Sequence, residues 1–269
     1  MVRTGDQTLN RTMRFRLPAD QGPEAVGVNA PTREGLLGEI ERRLRAGAGF
    51  AVATINLDHL VKLRMSAPFR RAYAAQDLVC ADGNPVVWLS RLAGRPVELI
   101  PGSELVRPLA AMAARLDLPM GLLGADQRTL DAAAARLEAE HPGLRVVARI
   151  APPYGLDPEG PVAAECLQQL AASGAKLCLL ALGAPKQEML AVRGKQVAPG
   201  VGFVSVGAGV EFVAGVQTRA PVWVQRLAME WAWRMAREPR RLFRRYLSCF
   251  AILPTLARDA LMLRGEEQA

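Results

Sequence analysis

Histidine is almost missing from this chain: His59 and His141 are the only two in 269 residues, which excludes a histidine-rich metal centre. Cysteine is scarce too. Cys80, Cys166, Cys178 and Cys249 lie far apart with no C-x-x-C pair, each in or beside an apolar run, the pattern of buried thiols in a reducing compartment rather than of disulfides or zinc ligands. No run of roughly eighteen apolar residues occurs, so nothing is expected to span a membrane unaided. The nearest stretch, 247–263, is interrupted by Pro254, Arg258 and Asp259. The first residues lack the apolar core of a signal peptide. Several chemistry-bearing signatures are absent as well. There is no Walker A sequence, no G-x-S-x-G elbow and no Asp-x-Asp triplet, and Gly207-Ala208-Gly209 fails as a dinucleotide fingerprint because Phe212 holds the place of its last glycine. A P-loop, a dinucleotide site and a serine hydrolase are thereby set aside. So is the usual carboxylate pair that carries a divalent ion.

What is present is apolar mass and positive charge. Half the residues are apolar, enough for a sizeable core, and 34 Lys and Arg stand against 26 Asp and Glu, a net charge of +8. That balance points to anionic partners: nucleic acid, phospholipid or a phosphorylated substrate.

Residues 1–28 are polar and contain Pro18 and Pro23, and read as a flexible lead-in. From 29 to 214 short apolar runs alternate with helical patterns. Strands are expected at 50–55, 78–82, 120–123, 146–150, 176–182 and 202–206, with helices near 32–45, 60–75, 85–92, 103–116, 127–140, 161–172 and 185–192. Continuously apolar strands separated by helices describe an α/β, Rossmann-like, mostly parallel sheet with helices on both faces. At Gly215 the character changes, and 215–269 reads as a basic, helical appendage. Residues 215–264 hold ten arginines, no lysine and three acids. They also hold three of the four tryptophans. A helix opened by Pro221 would line Arg226, Glu230, Arg234 and Arg237 along one face, and Arg240, Arg241, Arg244 and Arg245 repeat the pattern after Pro239. Basic amphipathic helices with aromatic residues suit an anionic membrane surface or a pyrophosphate. An ordinary helical pair with its arginines in water remains the bland alternative. Nucleic acid is disfavoured, because the basic residues flank an apolar stripe instead of interleaving with polar phosphate binders.

Three stretches could carry chemistry. Asp77-Leu-Val-Cys-Ala-Asp-Gly-Asn-Pro-Val-Val87 ends a strand in an acid and a glycine, which places Asp82 at a strand's carboxyl end, where open α/β sheets bind ligands. On that stretch alone Asp82 reads either as such an acid or as the cap of the next helix. Thr54-Ile-Asn-Leu-Asp58 closes the first strand with a polar cluster, suited to a ligand or to plain turn chemistry, with Asp58 able to cap the following helix. Gly183-Ala-Pro-Lys-Gln-Glu188 joins a strand end to a helix N-terminus that favours an anion, with Lys186 adding charge and Gln187 an amide.

Taken together these residues resemble the WecG/TagA/CpsF glycosyltransferases, family 26 of the sugar-nucleotide-dependent transferases. The resemblance runs from about Ala30 to Tyr246. It rests on Thr54-x-Asn56, Asp82-Gly83 followed by Val86-Val87-Trp88, and Gly102-Ser103-Glu104-Leu105. It rests also on Gly183 to Glu188 and on the tail Arg219-Ala-Pro, Arg226, Glu230-Trp231, Arg234, Glu238-Pro239 and Arg245-Tyr246. Glu104 stands where the family more often has aspartate. The resemblance implies transfer of a sugar from a UDP-sugar to a polyprenyl-diphosphate-linked sugar, with inversion and with neither a metal nor a cofactor. It implies work in a bacterial surface-polymer pathway, by a cytoplasmic enzyme held peripherally on the inner face of the membrane. Asp82 is then the general base, with Thr54 and Asn56 beside it. Gly83, Gly102, Ser103, Gly183, Lys186, Gln187 and Glu188 line the substrates, Gln187 on the donor. Arg219 and Arg226, then Arg234, offer charge to the leaving diphosphate, and the tail seats the enzyme on the anionic membrane surface. A homo-oligomer is compatible with this reading. A competing class is a non-catalytic peripheral membrane adaptor whose α/β domain merely binds a nucleotide.

Overall fold

The computed structural model describes residues 12–19, 22–218, 220–221, 224, 229–237 and 239–266, less the side chains of residues 234 and 241. It begins with a departure from the expected lead-in over 1–28. Two short strands, β1 (Met13–Arg16) and β2 (Ala25–Val28), pair antiparallel as a hairpin. Met13, Phe15 and Leu17 alternate inward with Val26 and Val28, while Arg14 and Arg16 point outward. The period-two pattern was in the sequence, but so short a run between prolines is easily taken for loop.

The centre of the molecule is a parallel sheet. Its strands are β3 (Phe50–Ile55), β4 (Leu78–Ala81), β5 (Met120–Gly124), β6 (Val146–Ile150), β7 (Leu177–Ala181) and β8 (Gly202–Ser205), in the spatial order β4-β3-β8-β7-β5-β6. Five of them, the interior strands β3, β5, β7 and β8 and the edge strand β4, are buried along their whole length, as strands covered on both faces must be. The expected α/β, Rossmann-like architecture is therefore present.

The helices follow in chain order: α1 (Arg33–Arg45), α2 (Leu57–Met65), α3 (Ala67–Ala74), α4 (Asn84–Leu92), α5 (Val106–Arg115), α6 (Gln127–Glu140), α7 (Pro161–Ala172), α8 (Lys186–Val197) and α9 (Gly209–Ala214), then α10 (Glu230–Arg237) and α11 (Pro239–Gly265). Local chemistry explains the main boundaries. Thr32 caps α1 by accepting from Gly35 N, and Asp126 caps α6 by accepting from Thr129 N. The single helix expected over 60–75 is two, because Ser66 leaves the helical conformation and caps α3, with Pro68 in its first turn. A 3-10 turn at Gly102–Glu104 precedes α5.

Two packing layers enclose the sheet. On one face α1, α5, α6 and α9 bury residues such as Leu36, Leu109, Leu130 and Val210 against Val52, Leu122, Leu179 and Val204. On the other, α7 and α8 cover Leu123, Cys178 and Phe203, while α2, α4, α11 and the hairpin cover Ala53, Ile55 and Val79. The four cysteines are free and buried. Burial raises every thiol's pKa, Cys249 to about 11, so none is an activated nucleophile.

The basic tail ends in one long helix. Pro254 does not interrupt α11, which runs unbroken for 27 residues. A mid-helix proline costs about 3 kcal/mol, and burying an aliphatic side chain returns about 1.5–3 kcal/mol. Cys249, Leu256, Ala260 and Leu263 supply that burial by packing into the same core as the hairpin and α2. By length and composition alone, 242–265 could cross a bilayer. Its buried face instead lies against the domain. Arg14 and Arg16 of β1 hold Glu266 at 2.5 and 2.8 Å, and Arg245 Nε meets Asp58 Oδ1 at 3.1 Å, so the helix is fastened near both ends.

Candidate active site

Connections decide where a ligand can enter. β8 hands the chain to α9 on one face of the sheet, whereas its neighbours β3 and β7 hand it to α2 and α8 on the other. Adjacent strands that diverge in this way open a crevice at their carboxyl ends, the usual ligand position in such folds. The first and second motifs, the glycine of the third and Gln187 gather there.

Thr54, buried at the end of β3, donates through Oγ1 to Asp82 Oδ2 at 3.3 Å. Its carbonyl is fixed from below, by the Tyr73 hydroxyl at 2.5 Å and by His59 Nδ1 at 2.7 Å. Burial holds the His59 imidazole down at about pKa 4 and pushes the Tyr73 phenol well above its ordinary value, so both are neutral orienting groups near neutral pH. His59 had no role in the sequence reading, and Tyr73 was missed. A short helix with Arg70 and Arg71 beside its one tyrosine gives no sign that the hydroxyl reaches a strand end.

Asp82 extends from the end of β4, half-buried, with its backbone N–H on Ile55 O at 2.8 Å. The helix-cap alternative falls away. Gly83 holds the N-cap position of α4, and no side chain caps that helix. Gly83 sits at φ +125, a conformation side chains rarely adopt, with Asn56 Cβ packed 3.6 Å from where its own Cβ would lie. Asn56 itself caps α2, accepting from His59 N at 3.1 Å, so the cap expected of Asp58 belongs to Asn56. Asp58 bonds Lys62 Nζ at 2.8 Å and Arg245 instead.

Gly102 is buried where a Cβ would stand 3.0 Å from Ser205 O and 3.2 Å from Thr54 Cγ2. A side chain here would crowd the close approach of the 3-10 turn to the ends of β3 and β8. Ser103 follows it, half-buried, and Glu104 pairs with Arg33 at 2.5 Å.

The Gly183–Glu188 turn divides into two parts. Gly183 is exposed and Lys186 half-buried, at the rim. Gln187 is only 3% exposed: its Oε1 accepts from Gly207 N at 3.2 Å and its Nε2 donates to Glu188 Oε1 at 2.8 Å. It therefore ties the α8 start to the loop after β8. Glu188 lies wholly beneath, with burial raising its carboxyl to about pKa 7 and no partner on Oε2. Arg219 and Arg226 lie outside the described residues, as does the side chain of Arg234. Among the described residues no three His, Cys, Asp or Glu converge as a metal site.

Such a crevice offers a carboxylate positioned by a hydroxyl, backbone-fixed strand ends and a lysine at the rim. It suits proton abstraction from a bound hydroxyl next to an anionic group. Residues 24–266 match the family model described as the glycosyl transferase WecG/TagA/CpsF family, so the match takes in β2 and the whole of α11 beyond the stretch the motifs span.

Proposed function

The chain belongs to the glycosyl transferase WecG/TagA/CpsF family, and from that premise we propose that it moves one sugar from a UDP-sugar to a polyprenyl-diphosphate-linked sugar, with inversion and without a metal. Its activity at the coarser level is glycosyl transfer in surface polysaccharide biosynthesis. The observation that carries the finer reading is the Thr54–Asp82 hydrogen bond at the carboxyl ends of β3 and β4, with Gly83 relieving Asp82 of the capping role.

In this mechanism Asp82 takes the proton from the acceptor hydroxyl as that oxygen attacks the anomeric carbon. The bond from that carbon to the UDP oxygen breaks, and the diphosphate leaves with the electron pair. Attack opposite the leaving group inverts the anomeric centre. Thr54 holds the carboxylate in place, with Asn56, Gly102 and Ser103 around it. Lys186 faces the donor diphosphate, Gln187 and Glu188 support that turn from below, and Arg219, Arg226 and Arg234 neutralise the departing charge. N-acetylmannosamine, its uronic acid and glucose are the candidate sugars.

Surface chemistry supports a lipid-linked acceptor. On α11, Phe243, Leu247 and Phe250 are 60%, 59% and 46% exposed, with Arg240, Arg244 and Arg245 exposed beside them. Trp231 of α10 packs edge-on to Phe250 at 5.3 Å and to Tyr246 at 6.0 Å. Aromatic residues ringed by arginine suit the headgroup layer of an anionic membrane, which supports a peripheral position on the cytoplasmic face of the bacterial cell membrane.

The test is transfer by purified protein from a panel of UDP-sugars to a short-chain prenyl-diphosphate-sugar, with EDTA present. Product from the wild type and not from Asp82→Asn supports the proposal. Absence of product with every donor, alongside clear binding to anionic liposomes, would instead favour the adaptor.

A further inference from the structure

One chain of polar contacts leads from the C-terminal helix to the rim of the crevice. Arg245 Nε on α11 meets Asp58 Oδ1 at 3.1 Å. Asp58 Oδ2 meets Lys62 Nζ at 2.8 Å, one turn further along α2. Lys62 Nζ then donates to the carbonyl of Ala184 at 2.9 Å. Ala184 lies inside the Gly183–Glu188 turn, whose other contacts run onward: Lys186 N to Gly183 O at 3.0 Å, and Gln187 Oε1 to Gly207 N at 3.2 Å. Three loops at the carboxyl edge of the sheet, after β3, β7 and β8, are thus linked to the tail.

The chemistry of the link is directional. Asp58 is held near the sheet, its side chain 12% exposed, whereas Lys62 and Arg245 are 37% and 42% exposed. Asp58 is therefore the buried anion that two more exposed cations share. A carbonyl accepting from an ammonium is a charge-assisted contact, stronger than a neutral one, and the ammonium reaches it because Asp58 fixes its stem. Remove Arg245 and Asp58 loses one of its two cations. Remove Asp58 and Lys62 loses the anchor that aims it at Ala184.

We propose that Arg245, Asp58 and Lys62 form a positioning relay through which docking of α11 sets the turn carrying Lys186 and Gln187 on the donor side of the crevice. None of the three touches the reacting atoms in this scheme. The proposal rests on the glycosyl-transfer reading for its kinetic consequence, but its structural half stands without it. It gives the tail a role in shaping the donor site, separate from any contact with lipid.

The experiment has two arms on the full chain: wild type, Arg245→Gln, Asp58→Asn, Lys62→Met, the double variant Arg245→Gln with Asp58→Asn, and the conservative Arg245→Lys. Hydrogen–deuterium exchange reads the turn directly. The expected result is faster exchange over 183–189 in the first three variants, with 120–124 and 146–150 unchanged and thermal midpoints close to wild type. Unchanged exchange at the turn overturns the relay. In the kinetic arm the donor KM rises ~10-fold, in the range expected for small misplacements of a binding group, while the acceptor KM stays put. The double variant is no worse than the worse single one, because the two residues act through one contact. Arg245→Lys recovers most of the loss. A faster-exchanging turn with an unaltered donor KM, or losses that multiply in the double variant, overturns the positioning role. Failure of the wild type with every donor defeats the transferase reading alone, and the exchange arm still judges the relay.

Discussion

Two aspartates five residues apart sit at opposite ends of one strand, and they lead opposite lives. Asp77 precedes β4 at the amino edge of the sheet. Its carboxylate takes the N–H of Ala51 at 2.8 Å, Lys195 Nζ at 2.6 Å and Arg43 at 3.2 Å. Burial alone would push its pKa up, but those three donors outweigh burial and hold it below the usual range. Asp82 follows β4 at the carboxyl edge, half-buried, facing Thr54 in the crevice. The first acid closes a circuit of charge that fastens α1 and α8 to the sheet. The second stands where strands diverge, at the crevice proposed to take the substrate. Composition and local sequence barely distinguish them; position on the strand does.

The contrast can be broken most severely at the functional end. Asp82→Asn keeps the shape and removes the proposed base, so transfer should fall ~10²–10⁴-fold while the thermal midpoint moves little, measured by initial rates and calorimetry on the same preparation. Asp77→Asn should do the reverse. It takes from Lys195 its carboxylate partner, leaves Arg43 with Glu39 alone, and should lower unfolding free energy by about 2 kcal/mol in urea titrations, with activity of the folded fraction retained. If Asp77→Asn abolished turnover at unchanged stability, the division of labour would be wrong. Thr54→Val lies between them. It deletes the hydroxyl that steadies Asp82 and should lower kcat ~10-fold, with Thr54→Ser near wild type.

The smallest effect concerns acidity beneath the site. Unfolded, the Glu188 carboxyl releases its proton near pH 4.5; folded, it keeps the proton to about pH 7. Its contribution to stability is therefore full below the unfolded value and declines as pH rises through the folded one. Glu188→Gln should flatten stability across that window, seen in chemical denaturation at a series of pH values. His59 works in the opposite sense: with its folded value near 4, the stability tied to its neutral form is present above pH 6.5 and is lost as pH falls.

Most of the sheet could be read from the sequence, because interior parallel strands are continuous apolar runs and the helices between them carry clear periodicity. The strand 50–55 and the helix 161–172 fall where the apolar pattern puts them. The convergence of Thr54 with Asp82 was also foreseeable, since neighbouring strand ends bring their following residues together. What could not be read was contact across long separation. Nothing local says that Asp58 pairs with Arg245, that Tyr73 reaches Thr54 O, or that Gln187 turns inward to Gly207 N. Nor does the local sequence show the packing on other elements that offsets the local cost of Pro254 within α11.

The hairpin and α11 share a core and are bridged from Arg14 to Glu266, a separation of 252 residues. A ribosome delivers these pieces at opposite ends of the synthesis of this stretch. Met13, Phe15 and Val28 emerge early, yet much of the surface that covers them arrives only with Leu256 and Leu263. The sheet can organise in the meantime, but the hairpin must wait with its apolar side uncovered, a period in which a nascent chain attracts chaperones or its neighbours. Closure of α11 thus comes after the sheet can form, and a premature stop between residues 206 and 249 would leave a chain with its sheet strands complete and its first strands unsheltered.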